Sequence, residues 1–183
     1  MQTRAFILVA FIALFWVAPA TAAVLGWRTV GKGDRGGDVT VLQRVLGMNG
    51  YHPGPVDGVF GRRTKRAVKH FQRHRHLTVD GRVGPVTTHA LSFSWPVKTA
   101  SYYGPGLWGN RTACGQTLRK GTQGVAHRSY PCGARVAVYA NARISIFRVI
   151  DRGPYRHGVS LDLTRASARR LHVSTTQDVR FSR

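Results

Sequence analysis

Hydrophobic residues recur with two different spacings along the chain, and the change of spacing divides it into two parts. In the first part, apolar residues lie three or four positions apart, as on one face of an α-helix. One such face runs through Val39, Leu42 and Leu46, and another includes Val68 and Phe71. In the second part, apolar and polar residues partly alternate within short runs rich in β-branched residues, which indicates strands. The pattern therefore predicts a small helical unit followed by an all-β unit.

The predicted boundaries follow from where the spacing changes. Residues 33–92 form the helical unit, and a short connector at 93–99 contains Pro96, which stops a helix from continuing. From residue 100 to 183, strands are predicted most clearly at 135–139 and 144–150. Only 164–171 has helical spacing in this part. The fold class is therefore an α+β multidomain protein, with a small barrel that carries one short helix.

An internal repeat organises the helical unit. The pattern D-G-x-[FV]-G-x-x-T-x-x-A-[VL] begins at Asp57 and again at Asp80, 23 residues later. Asp-Gly favours a turn, and the threonines of the pattern, Thr64 and Thr87, are predicted to cap the helices that follow. Asp38 is predicted to cap an earlier helix. Residues 33–92 are thus expected to form three helices joined by turns.

This segment resembles the type-1 family of bacterial peptidoglycan-binding domains over its whole length. The residues that carry the resemblance are Gly36, Asp38, Val39, Leu42, Gln43, Leu46, Gly50, Tyr51, Asp57, Gly58, Phe60, Gly61, Thr64, Ala67, Val68, Phe71, Gln72, Leu77, Asp80, Gly81 and Thr87. The resemblance implies a module that binds the cell wall. Tyr51 is the candidate for stacking on a sugar or peptide, and core packing is an equal alternative for it.

Residues 1–22 are typical of a signal peptide. A basic start at Arg4 precedes 13 mostly apolar residues at 5–17, and Ala20-Thr21-Ala22 is an A-x-A cleavage site. The apolar run is shorter than the roughly 20 residues of a membrane-spanning helix. An uncleaved anchor is the alternative. We expect a secreted protein of the cell wall or periplasm, with no stable membrane anchor.

The charge balance indicates an anionic partner. The chain has 28 Lys and Arg against seven acids, all of them Asp, for a net charge of +21. The lack of Glu excludes mechanisms that need one and metal cages built from many carboxylates. His70 and His74 share a helix face, but they have no carboxylate nearby and are crowded by Lys and Arg. We therefore expect no metal and no cofactor, and we expect anionic wall polymers rather than nucleic acid as partners of a monomer.

Two cysteines, Cys114 and Cys132, follow the signal peptide. An even pair in an exported protein predicts one disulfide. The alternative is a nucleophilic cysteine.

The second part resembles the rare lipoprotein A family of double-psi β-barrels, which is related to expansins. The residues that carry the resemblance are Ser101, Tyr102, Tyr103, Gly104, Thr112, Ala113, Ala126, His127, Arg128, Asp151, Arg152, Gly153, Pro154, Leu161, Asp162, Leu163 and Thr164. The resemblance implies a double-psi β-barrel and a lytic transglycosylase that cleaves peptidoglycan glycan strands. The cysteine pair is absent from many members and suggests a disulfide-containing branch.

A lytic transglycosylase needs one carboxylic acid, because a sugar hydroxyl rather than water attacks the glycosidic bond. Asp151 ends an apolar strand and is the predicted acid, with His127 and Asp162 assisting. Structural roles are the alternatives: a turn cap for Asp151, a strand-end residue for Asp162 and a barrel histidine for His127.

One residue departs from the pattern of active relatives. Where they resemble T-A-S-G-E, this chain has Gln116, which can hydrogen-bond to sugar but cannot ionise. A non-catalytic, expansin-like glycan-binding or wall-loosening protein is therefore the alternative function, and a secreted inhibitor or effector is a third class. Tyr102, Tyr103 and Trp108 are predicted to line a sugar-binding groove, with core filling as the alternative.

Overall fold

The computed structural model describes residues 23–183, which form a helical unit and a closed barrel. The predicted signal peptide, residues 1–22, lies outside the described part. After a short strand, β1 (Val24–Leu25), the helical unit contains three helices: α1 (Gly37–Met48), α2 (Arg62–His74) and α3 (Pro85–Leu91). No helix between residues 23 and 183 combines the length and the apolar character needed to cross a membrane.

The barrel contains six strands and one helix. Its elements, together with β1, are β1 (Val24–Leu25), β2 (Val97–Tyr103), β3 (Val125–Ala126), β4 (Arg135–Ala140), β5 (Arg143–Asp151), β6 (Leu161–Thr164), α4 (Arg165–Arg170) and β7 (Gln177–Ser182). The strands lie in the order β5-β3-β6-β2-β7-β4, and pairing of β4 with β5 closes the ring. The two strands and the short helix predicted in this part are confirmed.

A buried glutamine in the helix before each copy of the repeat holds the Asp-Gly turn of that copy. In the first copy, the Gln43 amide donates to Asp57 Oδ1 at 2.9 Å and accepts from the Gly58 amide at 2.9 Å. Gln72 makes the equivalent bonds in the second copy, to Asp80 Oδ1 at 2.8 Å and to the amide of the following glycine at 2.9 Å. These bonds explain why the repeat joins each turn to the preceding helix.

The predicted helix caps are wrong. A glycine occupies the N-cap of α1, and Asp38 lies inside its first turn, where its carboxylate accepts from Arg28 at 2.7 Å. Thr64 and Thr87 lie at the third positions of α2 and α3, which also begin after glycines. The Thr64 hydroxyl donates to the Pro53 carbonyl at 3.1 Å. These side chains therefore bind other segments instead of closing the helix ends.

The helical unit and the barrel share one hydrophobic core. The cluster that contains the buried faces of α1 and α2 also includes Leu25 of β1, Ala137 of β4 and Ile144 of β5. Trp95, in the predicted connector, is buried in the same cluster, and β2 begins two residues later. The relative position of the two units is therefore set by packing and not only by the connector.

Candidate active site

A row of four residues crosses four neighbouring barrel strands. Asp151 of β5 lies opposite Ala126 of β3, Ala126 lies opposite Asp162 of β6, and Asp162 lies opposite Ser101 of β2. The residues that alternate with the β3, β6 and β2 members of this row belong to the barrel core. Because side chains alternate between the faces of a strand, the row lies on the face opposite that core.

A register shift places Asp151 in this row. Val125 pairs with Val149, but the next residue of β3, Ala126, pairs with Asp151, so β5 contains one extra residue at Ile150. Val149 belongs to the barrel core, and strict alternation would direct Asp151 inward as well. The extra residue is a β-bulge, a feature that redirects side chains and often occurs beside active sites.

Asp162 has the environment of a proton carrier. Burial raises the pKa of this half-buried carboxyl, whereas a hydrogen bond from the Ser101 hydroxyl and the charge of Arg156 lower it, and the charge of Asp151 raises it further. Burial dominates, so the net shift is upward. The protonated form of Asp162 therefore persists to higher pH than that of an exposed aspartate.

Asp151 is held by backbone amides. Its Oδ1 accepts from the Ala113 amide at 2.8 Å and from the Arg152 amide at 2.9 Å. Both donors use the same oxygen, which fixes the orientation of the carboxyl group. A loop distant in sequence, which contains Ala113, is thereby attached to the end of β5.

The predicted disulfide joins that loop to the one before β4. Cys114 and Cys132 are bonded, with Cα atoms 5.6 Å apart, and no cysteine is free among residues 23–183. The Cys114 amide also donates to the Ile150 carbonyl at 3.3 Å. In the same loop, Gln116 is exposed, and its carbonyl accepts from the Thr112 amide at 2.8 Å. The position that departs from the family pattern thus lies in the loop that contacts Asp151.

Tyr103 places its side chain near Asp151. It lines a cavity of about 170 Å³ together with Asp151, Asn110 and Thr112. Its hydroxyl is buried and faces the Asp151 carboxylate, but it forms no hydrogen bond of good geometry in residues 23–183. Burial, and then the negative charge of Asp151, raise the pKa of Tyr103 well above its usual range. The group is therefore a neutral hydroxyl at the edge of this cavity.

His127 is close to Asp151 along the backbone, but its side chain binds elsewhere. The His127 amide donates to the Asp151 carbonyl at 3.3 Å. The ring Nδ1 accepts from the amides of Ser129 and Tyr130 at 3.2 and 3.0 Å, and the ring stacks on Tyr130 with centroids 3.7 Å apart. Within the described residues, no hydrogen bond joins this ring to Asp151 or Asp162. Burial, and then repulsion from neighbouring arginines, lower the pKa of His127, which favours a neutral ring with its proton on Nε2.

The remaining aromatic candidates of the barrel have separate surroundings. Tyr102 packs partly against the barrel core and lies under the Arg165 guanidinium, 4.5 Å from the ring centroid. The Trp108 ring packs against Gly104, where an added Cβ would be only 2.4 Å from a ring carbon. Neither lines the cavity that contains Tyr103 and Asp151.

Tyr51 belongs to the core of the helical unit. It is 8% exposed, and its hydroxyl bonds to His74 Nδ1 at 3.0 Å. In residues 23–183, no three His, Cys or Asp side chains are grouped in a way that could hold a metal ion.

Three residues at the site were not singled out from the sequence. Ser101 binds Asp162, and its place in the Ser-Tyr-Tyr-Gly motif was the available signal. Arg128 donates to the carbonyls of Arg156 and Val159 at 3.1 and 3.2 Å, so it holds the loop between β5 and β6. Tyr155 in that loop is 83% exposed, so its ring is available to a ligand.

Comparison with protein families identifies both parts of the chain. Residues 35–91 match the family model for a peptidoglycan binding domain, and residues 97–181 match the lytic transglycolase model. The chain is similar to the endolytic peptidoglycan transglycosylase RlpA of Yersinia pestis, with 31% identity over 132 residues. It is also similar to the spore cortex-lytic enzyme of Bacillus subtilis, with 37% identity over 86 residues.

The matches cover only part of each relative. They include 71% of this chain and 36% of the Yersinia protein, and 46% of this chain and 28% of the Bacillus protein. The chain thus spans about a third of the length of these curated relatives. Among solved structures, the N-terminal domain of SleB is 40% identical, with 37% of this chain and 92% of that chain covered and a TM-score of 0.36.

Proposed function

We propose that this chain is an extracytoplasmic enzyme that cleaves peptidoglycan glycan strands, since it joins a peptidoglycan-binding domain to a double-psi β-barrel of the lytic transglycolase family. The relatives named endolytic peptidoglycan transglycosylase support this reaction. The observation that carries the proposal is the row of Asp151, Ala126, Asp162 and Ser101 on one face of the barrel. It provides a carboxyl with a raised pKa and, two strands away, a second carboxyl held by backbone amides.

Asp162 is the proposed acid and base. Its carboxylic acid donates a proton to the glycosidic oxygen, and the bond from that oxygen to C1 of the muramyl sugar breaks. The C6 hydroxyl of the same sugar attacks C1 and closes a 1,6-anhydro ring. The hydroxyl proton passes to the Asp162 carboxylate and restores the acid, so no water is consumed. Sequence analysis assigned this role to Asp151, whereas the burial of Asp162 supports the exchange of roles.

Asp151 is the proposed electrostatic partner. Its Cα lies two strand spacings from that of Asp162, roughly 10 Å, which leaves room for a sugar ring between the carboxyls. A fixed carboxylate stabilises the positive charge that develops at C1 as the bond breaks. The Tyr103 hydroxyl is a donor for a sugar oxygen, and the exposed Tyr155 ring offers a surface for stacking. The His127 ring is assigned to positioning, since its Nδ1 organises the loop that follows β3.

The three-helix unit is proposed to hold the protein on the wall. Residues 33–92 carry the peptidoglycan-binding resemblance, and residues 93–99 connect them to the barrel at 100–183. If binding to the wall is specific, retention of the whole chain on insoluble peptidoglycan should persist at about 1 M salt, where exposed charges are screened. Complete release at this salt concentration would reduce the unit to a nonspecific basic surface.

The reaction is tested by its product. Purified peptidoglycan is incubated with the wild-type chain, and mass spectrometry measures glycan fragments that end in 1,6-anhydromuramic acid. Asp162→Asn should abolish these products, and Asp151→Asn should reduce them. Asp178→Asn, at an exposed carboxyl bonded to Thr99, is the matched control and should match the wild type. Full activity of Asp162→Asn together with complete loss in Asp151→Asn would return the acid to Asp151.

A non-catalytic glycan-binding protein is the second candidate, and Gln116 is the observation that favours it. Its loop contacts Asp151 through the Ala113 amide, so a Glu at this position would stand close to the proposed site. Absence of anhydro products from the wild type and their appearance in Gln116→Glu would establish the non-catalytic function. Equal activity of the two proteins would remove Gln116 from the argument.

A further inference from the structure

A second cavity, of about 580 Å³, lies between the helical unit and the barrel. The end of α1 and the following loop form one side, and β4 and β5 contribute to the other. Its apolar wall includes Met48, of which 41% is exposed, and Ile146 of β5. Three cations line it: Arg44 of α1, Arg135 of β4 and Arg183. Both units are therefore needed to build it.

The positive charge in this cavity has no acidic partner. Among residues 23–183, both ion pairs are made by Arg28, which lies elsewhere. Arg135 is directly opposite Arg148 in the β4–β5 ladder, and like charges in that arrangement destabilise a sheet. Burial, and then repulsion from Arg135 and Arg148, lower the pKa of Arg44. An anionic ligand would remove this cost.

We propose that this cavity binds the carboxylates of the peptide stems of peptidoglycan, an inference that rests on the proposed substrate. Guanidinium groups form strong, geometrically specific hydrogen bonds with carboxylates. The stems are short acidic peptides with methyl side chains, which suit the apolar surfaces of Met48 and Ile146. A wall polymer made of phosphates and polyols offers no comparable apolar group. The residues that line the cavity therefore favour the peptide over a phosphate polymer.

The position of the cavity relates it to the proposed active site. Ile146, which lines the cavity, and Asp151 lie on the same strand, β5, five residues apart, so their Cα atoms are roughly 16 Å from each other at the usual rise per residue. A glycan strand at Asp151 and a peptide stem near the arginines can therefore belong to one ligand. The helical unit would then contribute Arg44 to substrate recognition by the barrel.

Binding of a free stem peptide tests the proposal without requiring catalysis. The probe is the tetrapeptide L-alanyl-γ-D-glutamyl-meso-diaminopimelyl-D-alanine, and calorimetry measures its affinity for the whole chain. A double variant, Arg44→Gln with Arg135→Gln, removes two cavity charges. The control, Arg66→Gln with Arg73→Gln, removes two charges from the exposed face of α2. Both variants have the same net charge.

We expect the cavity variant to lose affinity by roughly tenfold or more and the control to retain it, since one charged hydrogen bond contributes about that much. Amidation of the peptide carboxylates should weaken binding to the wild type and change little in the cavity variant. The cavity variant should also melt at a higher temperature than the wild type, because like-charge repulsion is relieved. That result excludes misfolding as the cause of lost binding.

Three results would overturn the inference. They are equal affinity of the two double variants, no measurable affinity of the wild type for the peptide, and tighter binding of a glycerol phosphate polymer than of the peptide. Failure of the proposed reaction is detected separately, as a lack of anhydro products from glycan strands stripped of peptides. Peptide binding without such products would support the cavity and contradict the enzyme.

Discussion

Replacement of Asp162 by Asn is expected to change activity and stability in opposite directions. The substitution keeps the size of the side chain and an oxygen that can accept from the Ser101 hydroxyl, but it removes the exchangeable proton. Loss of a general acid typically reduces a rate by about 10²- to 10⁴-fold. This corresponds to roughly 3–5 kcal/mol in the activation free energy. Release of anhydro-ended fragments should therefore fall to background.

The stability effect follows from the direction of the pKa shift. Burial raises the pKa of Asp162 in the folded protein above its value in the unfolded chain. The folded state therefore binds this proton more tightly, and the resulting stabilisation is fully present below the unfolded pKa and is lost as pH rises through the folded pKa. At pH values above the folded pKa the wild type carries the cost of a half-buried charge. Asn avoids that cost, so the variant should be more stable than the wild type there.

Calorimetric melting of both proteins at several pH values tests this reasoning. The advantage of Asp162→Asn should be present at pH values above the folded pKa and should shrink as the solution is acidified towards the unfolded pKa. The Asp178→Asn control should show no such advantage, because its carboxyl is exposed. An Asn variant that is less stable than the wild type at every pH, or whose advantage does not depend on pH, would contradict the burial argument.

Three other changes test the helical unit and the surroundings of the site. Gln72→Ala should lower the melting temperature, because the buried amide of Gly81 and the carbonyl of Arg82 lose their hydrogen-bond partner. Each unsatisfied group costs about 1–3 kcal/mol of folding free energy, whereas the control Gln116→Ala, at an exposed side chain, should leave the melting temperature unchanged. Replacement of both Cys114 and Cys132 by Ser should destabilise the protein by about 3 kcal/mol through chain entropy. Activity measured well below the melting temperature should also fall, because the loop that contacts Asp151 loosens. Unchanged activity at that temperature would show that the disulfide does not support the site. Tyr103→Phe should leave the melting temperature unchanged or higher, because the buried hydroxyl forms no hydrogen bond of good geometry, and should weaken glycan binding; unchanged binding would exclude a role for that hydroxyl.

Local signals in the sequence account for most of the secondary structure. The apolar spacing around Leu42 and Phe71 locates α1 and α2, and the β-branched run at 144–150 locates β5. The predictions of the helix caps were wrong because Thr64 and Thr87 resemble N-cap residues in type and in position along the chain. Their hydroxyls instead meet partners from other segments, such as the Pro53 carbonyl, and such a contact is determined only by the fold.

The candidate site shows a similar division between local and long-range information. Motifs identified Asp151 and Asp162, but their shared face depends on a register shift between β3 and β5. Alternation within β5 alone would place Asp151 with Val149 in the core. The partners of Asp151 come from the loop at Ala113, 38 residues away. Neither the bulge nor this loop contact is marked by a local sequence pattern. The roles of Asp151 and Asp162 therefore could not be assigned from their positions within one strand.

The use of the seven aspartates explains how so basic a chain can keep a proton-donating acid. Asp57 and Asp80 hold turns, and Asp38 is bound to Arg28, so few carboxylates are left to neutralise the arginines. The resulting positive field favours the anionic wall partner expected from the sequence, but it also lowers carboxyl pKa values, as Arg156 does at Asp162. Only burial in the barrel opposes that effect strongly enough to raise the pKa. The half-buried position of Asp162 is therefore what makes its proposed role as an acid compatible with the high positive charge of the chain.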